Sequence, residues 1–440
     1  MVQLIIQLRH LNLYSMVEAK KEFDVFKGLV NGKQVSTLSS DNIIDCVQKR
    51  SMSQLGDSQT LRYVLHDGCD IRKPNSKELE HIGQVMSLSK QVINGYKTMN
   101  SVVVDIDNQG VSLLCHELYS NKMPNYIGQT TLNNAQAVSQ LSEVHQQMLR
   151  DETYINTLVL FRRNLKSSSE LLKSTNSDLQ VGHVFDREFD DDANFEYIDS
   201  ELKDVFVARL KANRLSHQTF STTTPTGKIS KRLVHYKLID KIFANSSLYE
   251  IDKILIKGVK YQNVQARIEW ETLKIGQNNN QKSYNVVRIT LLKDGKPLFA
   301  QPMLLLTNNK VQSAEAAKAV YMAYLLRSKI EVVFKFLKQN LGWEAFQVRD
   351  FNSIKNLLAL AFFLIGYFPE LENELKDHPM TIHLCQLAKS KGKKTLHFLL
   401  NGLEMLTNFQ QVSVWMQKND ITKEQIDQFL QEIGMKANSG

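Results

Sequence analysis

The chain has 440 residues, with 42% hydrophobic and 23% charged side chains and only 7 Pro and 19 Gly, the composition of a globular protein with room for two or three domains. Its longest apolar run, Leu357 to Tyr367, is about half of what a membrane span requires, and the opening residues lack the basic, apolar and small-residue order of a secretory leader, so neither secretion nor membrane insertion is expected. A formal net charge of +8 suits a polyanionic partner without identifying one, and with four scattered cysteines and no CxxC pair neither a disulfide framework nor a zinc site is expected, which fits a reducing cytoplasm.

Residues 1–58 read as a helical N-terminal region. TLRYVLH (60–66) is rich in β-formers and is expected to end at Asp67-Gly68. NSVVVDI (100–106) and VSLLCHEL (111–118) flank Asp107-Asn108-Gln109-Gly110, a hairpin signal, and a long helical stretch is expected from Asn133 to about Leu172. LQVGHVF (179–185) has the continuous apolar pattern of a buried strand and stops at Asp186; VFVARL (205–210) follows after a short helix. From 217 to 310 the pattern is strand after strand, separated by turns such as Gln277-Asn278-Asn279-Asn280 and Asp294-Gly295. Helical periodicity resumes near residue 313 and continues almost to the end. The expected architecture is an α/β core with a mixed sheet (59–216 and 311–370), interrupted by an antiparallel β insert (217–310) and flanked by helical N- and C-terminal regions (1–58 and 371–440).

Three carboxylates stand out. Asp67 and Asp186 each follow an expected core strand, the end at which sites assemble in open α/β sheets, and Glu331 sits on the helix after the insert. Each also has an ordinary reading: Asp67 as a turn former before Gly68, Asp186 as a helix cap within DREFDDD, and Glu331 as a partner of Arg327 and Lys335 along an exposed helix. The helix itself shifts the balance. Tyr324, Arg327, Glu331 and Lys338 stand at offsets that place them near one face, a stripe about 21 Å long with one acid among cations, while Ile330, Val333 and Leu337 take the packing positions. Such a stripe suits a metal ion at the acid and phosphates at the bases. Lys228, Lys231, Arg232, Lys237 and Lys241 in the insert, and KSKGKK (389–394), are further basic clusters for which a solvated surface is as good a reading.

The spacing Tyr324-x2-Arg327-x3-Glu331-x6-Lys338 resembles the tyrosine-arginine-glutamate-lysine signature of DDE transposases of insertion-sequence family four, the group that includes the transposon-five transposase. VLHDGCDIRKPNSKELEHIGQV (64–85) is similar to that family's first block, HVFDREFDDDANFEYI (183–198) with FVARLKANR (206–214) to its second, and LLLTNNKV (304–311) to the strand leading out of the insert. These blocks occur in the family's order over roughly residues 20 to 370, and order makes the match more specific than any single motif. The resemblance implies an RNase H-like core in which Asp67, Asp186 and Glu331 hold two Mg²⁺ or Mn²⁺ ions. It also implies that Tyr324, Arg327 and Lys338, with Arg209 near the second aspartate, contact DNA phosphates. The activity implied is cut-and-paste transposition. The enzyme would bind the inverted terminal repeats of an insertion sequence as double-stranded DNA, nick to expose a 3′-hydroxyl and join it to target DNA, working as a homodimer in the bacterial cytoplasm at the nucleoid.

Two departures bear on hairpin formation at the cleaved end: Met303 stands at the base-wedge position where some relatives have tryptophan, and Ser328 follows the signature arginine. The segment before Asp67 is short for a complete end-recognition domain, and EAKKEFDVFKGLVNGKQVS (18–36) looks like the later part of one, so the chain is expected to begin late in that domain. The rival readings are a catalytically silent DNA-binding remnant and a structure-selective RNase H-like nuclease.

Overall fold

The computed structural model describes residues 39–55, 60–104, 110–223, 229–256, 259–276, 282–375, 379–389, 396–425 and 428. Most of the expected N-terminal region, the Asp105 to Gln109 turn, the Gln277 to Asn280 turn and most of KSKGKK lie outside these residues. So do Lys228 and the side chains of Lys231 and Arg232. The chain divides into two compact units, with the boundary between Gly366 and Tyr367.

In the larger unit, helix α1 (Ser40–Gln54) starts at Ser39, whose side chain accepts from the Asn42 amide. Strands β1 (Leu61–Arg72), β2 (Gly83–Met86), β3 (Val92–Val104) and β4 (Val111–Tyr119) follow. The expected long helix from Asn133 to Leu172 is broken into α2 (Gln129–Leu132), α3 (Ala135–Ser139), α4 (Glu143–Arg150) and α5 (Thr157–Thr175). The breaks have local causes: Asn134, Ser142 and Asn156 each cap a new helix with their own side chains, a role that competes with continuing the previous one. Next come β5 (Gln180–Phe185), α6 (Asp192–Glu196) and β6 (Val205–Arg209).

A two-stranded hairpin, β7 (Leu215–Thr223) with β8 (Ile229–Lys237), stands by itself as a sheet. Beyond it run β9 (Asn245–Ile256), β10 (Val259–Ile275), β11 (Lys282–Lys293), β12 (Lys296–Pro297) and β13 (Met303–Thr307). Helices α7 (Ala314–Leu325) and α8 (Ser328–Asn340) follow, and α9 (Phe351–Leu375) starts in this unit and continues past its boundary in sequence.

Apart from the hairpin, the strands form one mixed sheet in the order β2-β3-β1-β5-β6-β13-β11-β10-β9, with β4 on β3 and β12 on β11. Within it β1, β5 and β6 are mutually parallel; β3 runs antiparallel to them, and β4, antiparallel to β3, runs in their direction again. The strands between 245 and 307 therefore do not fold into a separate sheet. They extend the core sheet through the pairing of β13 with β6, and the expected boundary at 216/217 falls inside β7.

The parallel centre is buried on both faces, as its apolar run requires: Val181, Val184 and Phe185 of β5 and Val64 and Leu65 of β1 are fully buried. Helix α5 covers one face with Leu160, Phe161, Leu165 and Leu172, whose steps of one, four and seven residues keep them on one side of the helix. Phe161 stacks on Phe189 at 4.1 Å and meets Phe185 edge-on, and Phe195 stacks on Phe206 at 5.3 Å. Each such ring withdraws enough apolar surface to contribute roughly 2–3 kcal/mol.

The smaller unit contains α10 (Pro379–Leu387) and α11 (Leu396–Lys418). Leu384, Cys385 and Leu399 form its buried cluster, and Gly402 lets the two helices approach so closely that an added Cβ would lie 2.1 Å from the Leu384 carbonyl oxygen. Among the described residues no helix is long and apolar enough to cross a membrane.

Candidate active site

Asp67 does not end its strand. β1 continues to Arg72 because its antiparallel partner β3 continues beside it, Asp67 facing Asn100 and Arg72 facing Gly95. What does end beside Asp67 is the parallel ladder, whose last pair is His66 with Phe185. Asp186 follows Phe185 directly, and its Oδ1 caps the short turn Arg187–Phe189 by accepting from the Arg187 amide at 2.8 Å. The two aspartates thus stand where β1 and β5 part.

The helix bearing the tyrosine, arginine and glutamate is not one regular helix. Between α7 and α8, Leu326 and Arg327 keep right-handed backbone angles but bond three residues back, Leu326 to Ala323 at 3.2 Å and Arg327 to Tyr324 at 3.0 Å. This tighter turn winds closer to three residues per turn than 3.6. Tyr324 lands buried against the sheet, Arg327 lies partly buried, and Glu331 reaches the surface with 56% of its side chain exposed.

All three carboxylates meet the Arg327 guanidinium. Its Nη1 donates to Asp67 Oδ2 at 2.7 Å, and its Nη2 pairs with Glu331 Oε1 and stands 3.9 Å from Asp186 Oδ2. Tyr324 Oη donates to Asp186 Oδ1 at 3.2 Å, and Arg209 Nη1 lies 3.7 Å from the same oxygen. Burial pushes the Asp67 carboxyl up to about 7; Arg327 pulls it down, and Asp186, Glu331 and Glu188 push it further up. Burial and then the nearby Asp186 push the Tyr324 phenol up to about 12. Burial works against the Arg327 charge, but Asp67, Tyr324, Asp186 and Glu331 outweigh it and hold the guanidinium more firmly protonated than usual.

The structure thus brings together Asp67, Asp186, Glu331, Tyr324, Arg327 and Arg209. Lys338 lies two turns along α8, where Nζ donates to the Asp70 carbonyl and pairs with Glu344 Oε1 at 2.9 Å; Glu344 also accepts from the Arg72 amide. Met303 opens β13 opposite Ile289, partly buried and on the far side of β6 from β5. Lys241, one of the basic residues of the insert, pairs with Glu271 at 3.1 Å.

Sequence reasoning missed Glu188, Asp70 and Glu344. Glu188 is masked in sequence by the acidic run around it, yet burial raises its pKa and it acts electrostatically on Asp67. Nothing near Asp70 or Glu344 marks them, because the role of Asp70 depends on Lys338 arriving from 268 positions away and that of Glu344 on the Arg72 amide, 272 positions away.

Hard carboxylate oxygens gathered at a strand end fit a divalent cation by donor chemistry. In the arrangement observed, no three His, Cys, Asp or Glu side chains among the described residues are drawn together enough to hold a metal ion; a guanidinium bridges the three carboxylates instead.

No curated protein matches the chain. Among solved structures, the NurA nuclease from Sulfolobus solfataricus is similar over 73% of this chain and 98% of its own, at 11% identity and a TM-score of 0.23, too slight a likeness to argue from. Residues 170–366 match the family model of the transposase DDE domain, a stretch that includes Asp186, Arg209, Tyr324, Arg327, Glu331 and Lys338, and this match supports a DDE transposase.

Proposed function

We propose that the chain is a metal-dependent DNA transposase of insertion-sequence family four, nicking the inverted ends of its element and joining the 3′-hydroxyl to target DNA. The observation that carries this reading is the convergence of Asp67, Asp186 and Glu331, from three distant segments, on one guanidinium. The order β4-β3-β1-β5-β6, with only β3 antiparallel to the rest, supports an RNase H-like core around them.

Two Mg²⁺ or Mn²⁺ ions held by Asp67, Asp186 and Glu331 would supply activation of a water or 3′-hydroxyl and stabilisation of the leaving oxygen. The chain's own residues prepare the rest. Tyr324 fixes the Asp186 carboxylate by its 3.2 Å hydrogen bond, and Arg209 approaches the same oxygen from β6. Lys338 ties α8 to the strand that carries Asp67 through the Asp70 carbonyl, setting the distance between Glu331 and the aspartates. On this reading Tyr324, Arg327, Arg209 and Lys338 would be the groups that contact phosphates beside the scissile bond. Met303 is the base-wedge position of this reading, and a synaptic homodimer is its assembly.

Incubation with DNA carrying the element's ends and Mg²⁺ tests the proposal. Nicked and joined products are expected, and Glu331→Ala should abolish both while leaving DNA binding largely intact. A preparation that binds those ends yet yields neither product overturns it.

A further inference from the structure

We propose that Arg327 is the resident counter-cation of the carboxylate cluster, competing with divalent metal until a DNA phosphate draws it away, so that metal loading and DNA-end binding are coupled. The inference rests on the metal-site reading of Asp67, Asp186 and Glu331 given above and adds a regulatory step to it.

Three carboxylates crowded at the end of a parallel ladder repel one another, and two of them are substantially shielded from water, with side-chain exposures of 16% for Asp67 and 23% for Asp186. Screening by solvent is weak there, so the cluster requires a cation. Arg327 supplies it with a planar fork that uses one nitrogen for Asp67 and the other for Glu331 and Asp186. The same oxygens are those a divalent ion would claim, and a guanidinium fixed among them repels a second cation. The guanidinium belongs to a long, flexible side chain on a tight turn between two helices, and Glu331, at the outer edge of the cluster, is open to solvent. A phosphate arriving at that edge offers the same fork a bidentate partner, since guanidinium recognises carboxylate and phosphate by one geometry.

Such competition has a thermodynamic signature. If DNA removes the competitor, DNA tightens metal binding, and by reciprocity metal tightens DNA binding by the same factor. Removal of the guanidinium should both improve metal affinity in the free protein and abolish most of that coupling.

Mn²⁺ titration of the full chain, followed by the electron paramagnetic resonance signal of free Mn²⁺, reads this without reference to activity. Arg327→Gln is expected to bind Mn²⁺ about tenfold more tightly than wild type in the absence of DNA, a change within the usual range for coupled sites. A short duplex of the terminal repeat is expected to tighten Mn²⁺ binding severalfold in wild type and little in Arg327→Gln. A folded Arg327→Gln protein, with unchanged circular dichroism, that binds Mn²⁺ no more tightly than wild type overturns the proposal. Should that variant fail to fold, the wild type alone still decides, because Mn²⁺ affinity unmoved by the duplex overturns the coupling. Asp186→Asn separates the two readings: wild-type Mn²⁺ binding indifferent to it would sink the metal site itself, whereas binding lost in Asp186→Asn but unimproved in Arg327→Gln sinks only the role of Arg327.

Discussion

His66 Nε2 and His183 Nδ1 face each other at 2.9 Å across the parallel pair β1 and β5, fully buried, one residue before Asp67 and three before Asp186. The chain of bonds fixes the direction of every proton. Asp204 Oδ2 only accepts, so His183 Nε2–H donates to it at 3.1 Å; His183 Nδ1 then accepts from His66 Nε2–H, and His66 Nδ1 accepts from Ser101 Oγ–H at 2.7 Å. Ser169 Oγ donates to Asp204 at 2.5 Å and Lys173 Nζ pairs with its other oxygen at 2.6 Å. This network locks the two strands whose ends carry the aspartates, on the sheet face covered by Phe161 of α5.

His183→Leu should therefore be costly despite its similar volume. It leaves the His66 N–H without its acceptor and removes one donor from a buried carboxylate, a loss of about 3 kcal/mol. Urea denaturation would measure it, and a cost below about 1 kcal/mol would show that the network is slack.

Acid should weaken the fold through the same groups. Burial holds His66 well below the ordinary histidine range, burial also lowers His183 despite the opposing pull of Asp204, and burial, with a smaller push from Lys355, drives His116 down to about 3. His116 Nδ1 is engaged by Asn100 Oδ1 at 2.7 Å, while its buried Nε2 has no hydrogen-bond partner among the described residues. Because the folded values lie below the unfolded one, the stability these residues hold is complete above pH about 6.5 and drains as pH falls toward the folded values. Unfolding free energy measured between pH 7.5 and 5 should fall, and His116→Phe should flatten part of the slope; an unchanged slope in that variant would contradict the assignment.

Two glycines should tolerate alanine differently. A Cβ on Gly95 would lie 2.2 Å from the Ile71 carbonyl oxygen and 2.6 Å from Val85 Cγ2, whereas a Cβ on Gly182 meets only side chains, chiefly the Tyr63 ring at 2.7 Å. Backbone in a sheet centre cannot step aside, but a ring can turn. Gly95→Ala is expected to cost about 3 kcal/mol and Gly182→Ala about half as much, the thermal midpoints giving the order.

Tyr324→Phe removes the bond to Asp186 and little volume. On the proposed activity, a hydrogen bond to a carboxylate of about 1–1.5 kcal/mol translates into a five- to tenfold slower nicking rate, with DNA binding near wild type. An unchanged rate would make Tyr324 a packing residue only.

Much of this was legible before the fold was known. β5 could be read because its apolar run stops at a residue that disfavours strands, which also placed Asp186. Asp67-Gly68 looked like a turn, and only the company of β3 explains why the strand runs on to Arg72. No Pro or Gly marks the tight turn at Leu326-Arg327, so the helix read as continuous.

The residues able to do chemistry were written in the sequence, because residue type and helical or strand spacing are local properties. Which of them meet was decided by the tertiary structure alone. Asp67 and Arg327 are 260 positions apart yet hydrogen-bonded at 2.7 Å, and the bond exists because the parallel ladder of β1 and β5 ends where the turn between α7 and α8 arrives. The histidine pair makes the same point. His66 and His183 alternate onto one face by local rule, but they become partners only because their strands are neighbours, and adjacency in a sheet is a property of the whole chain.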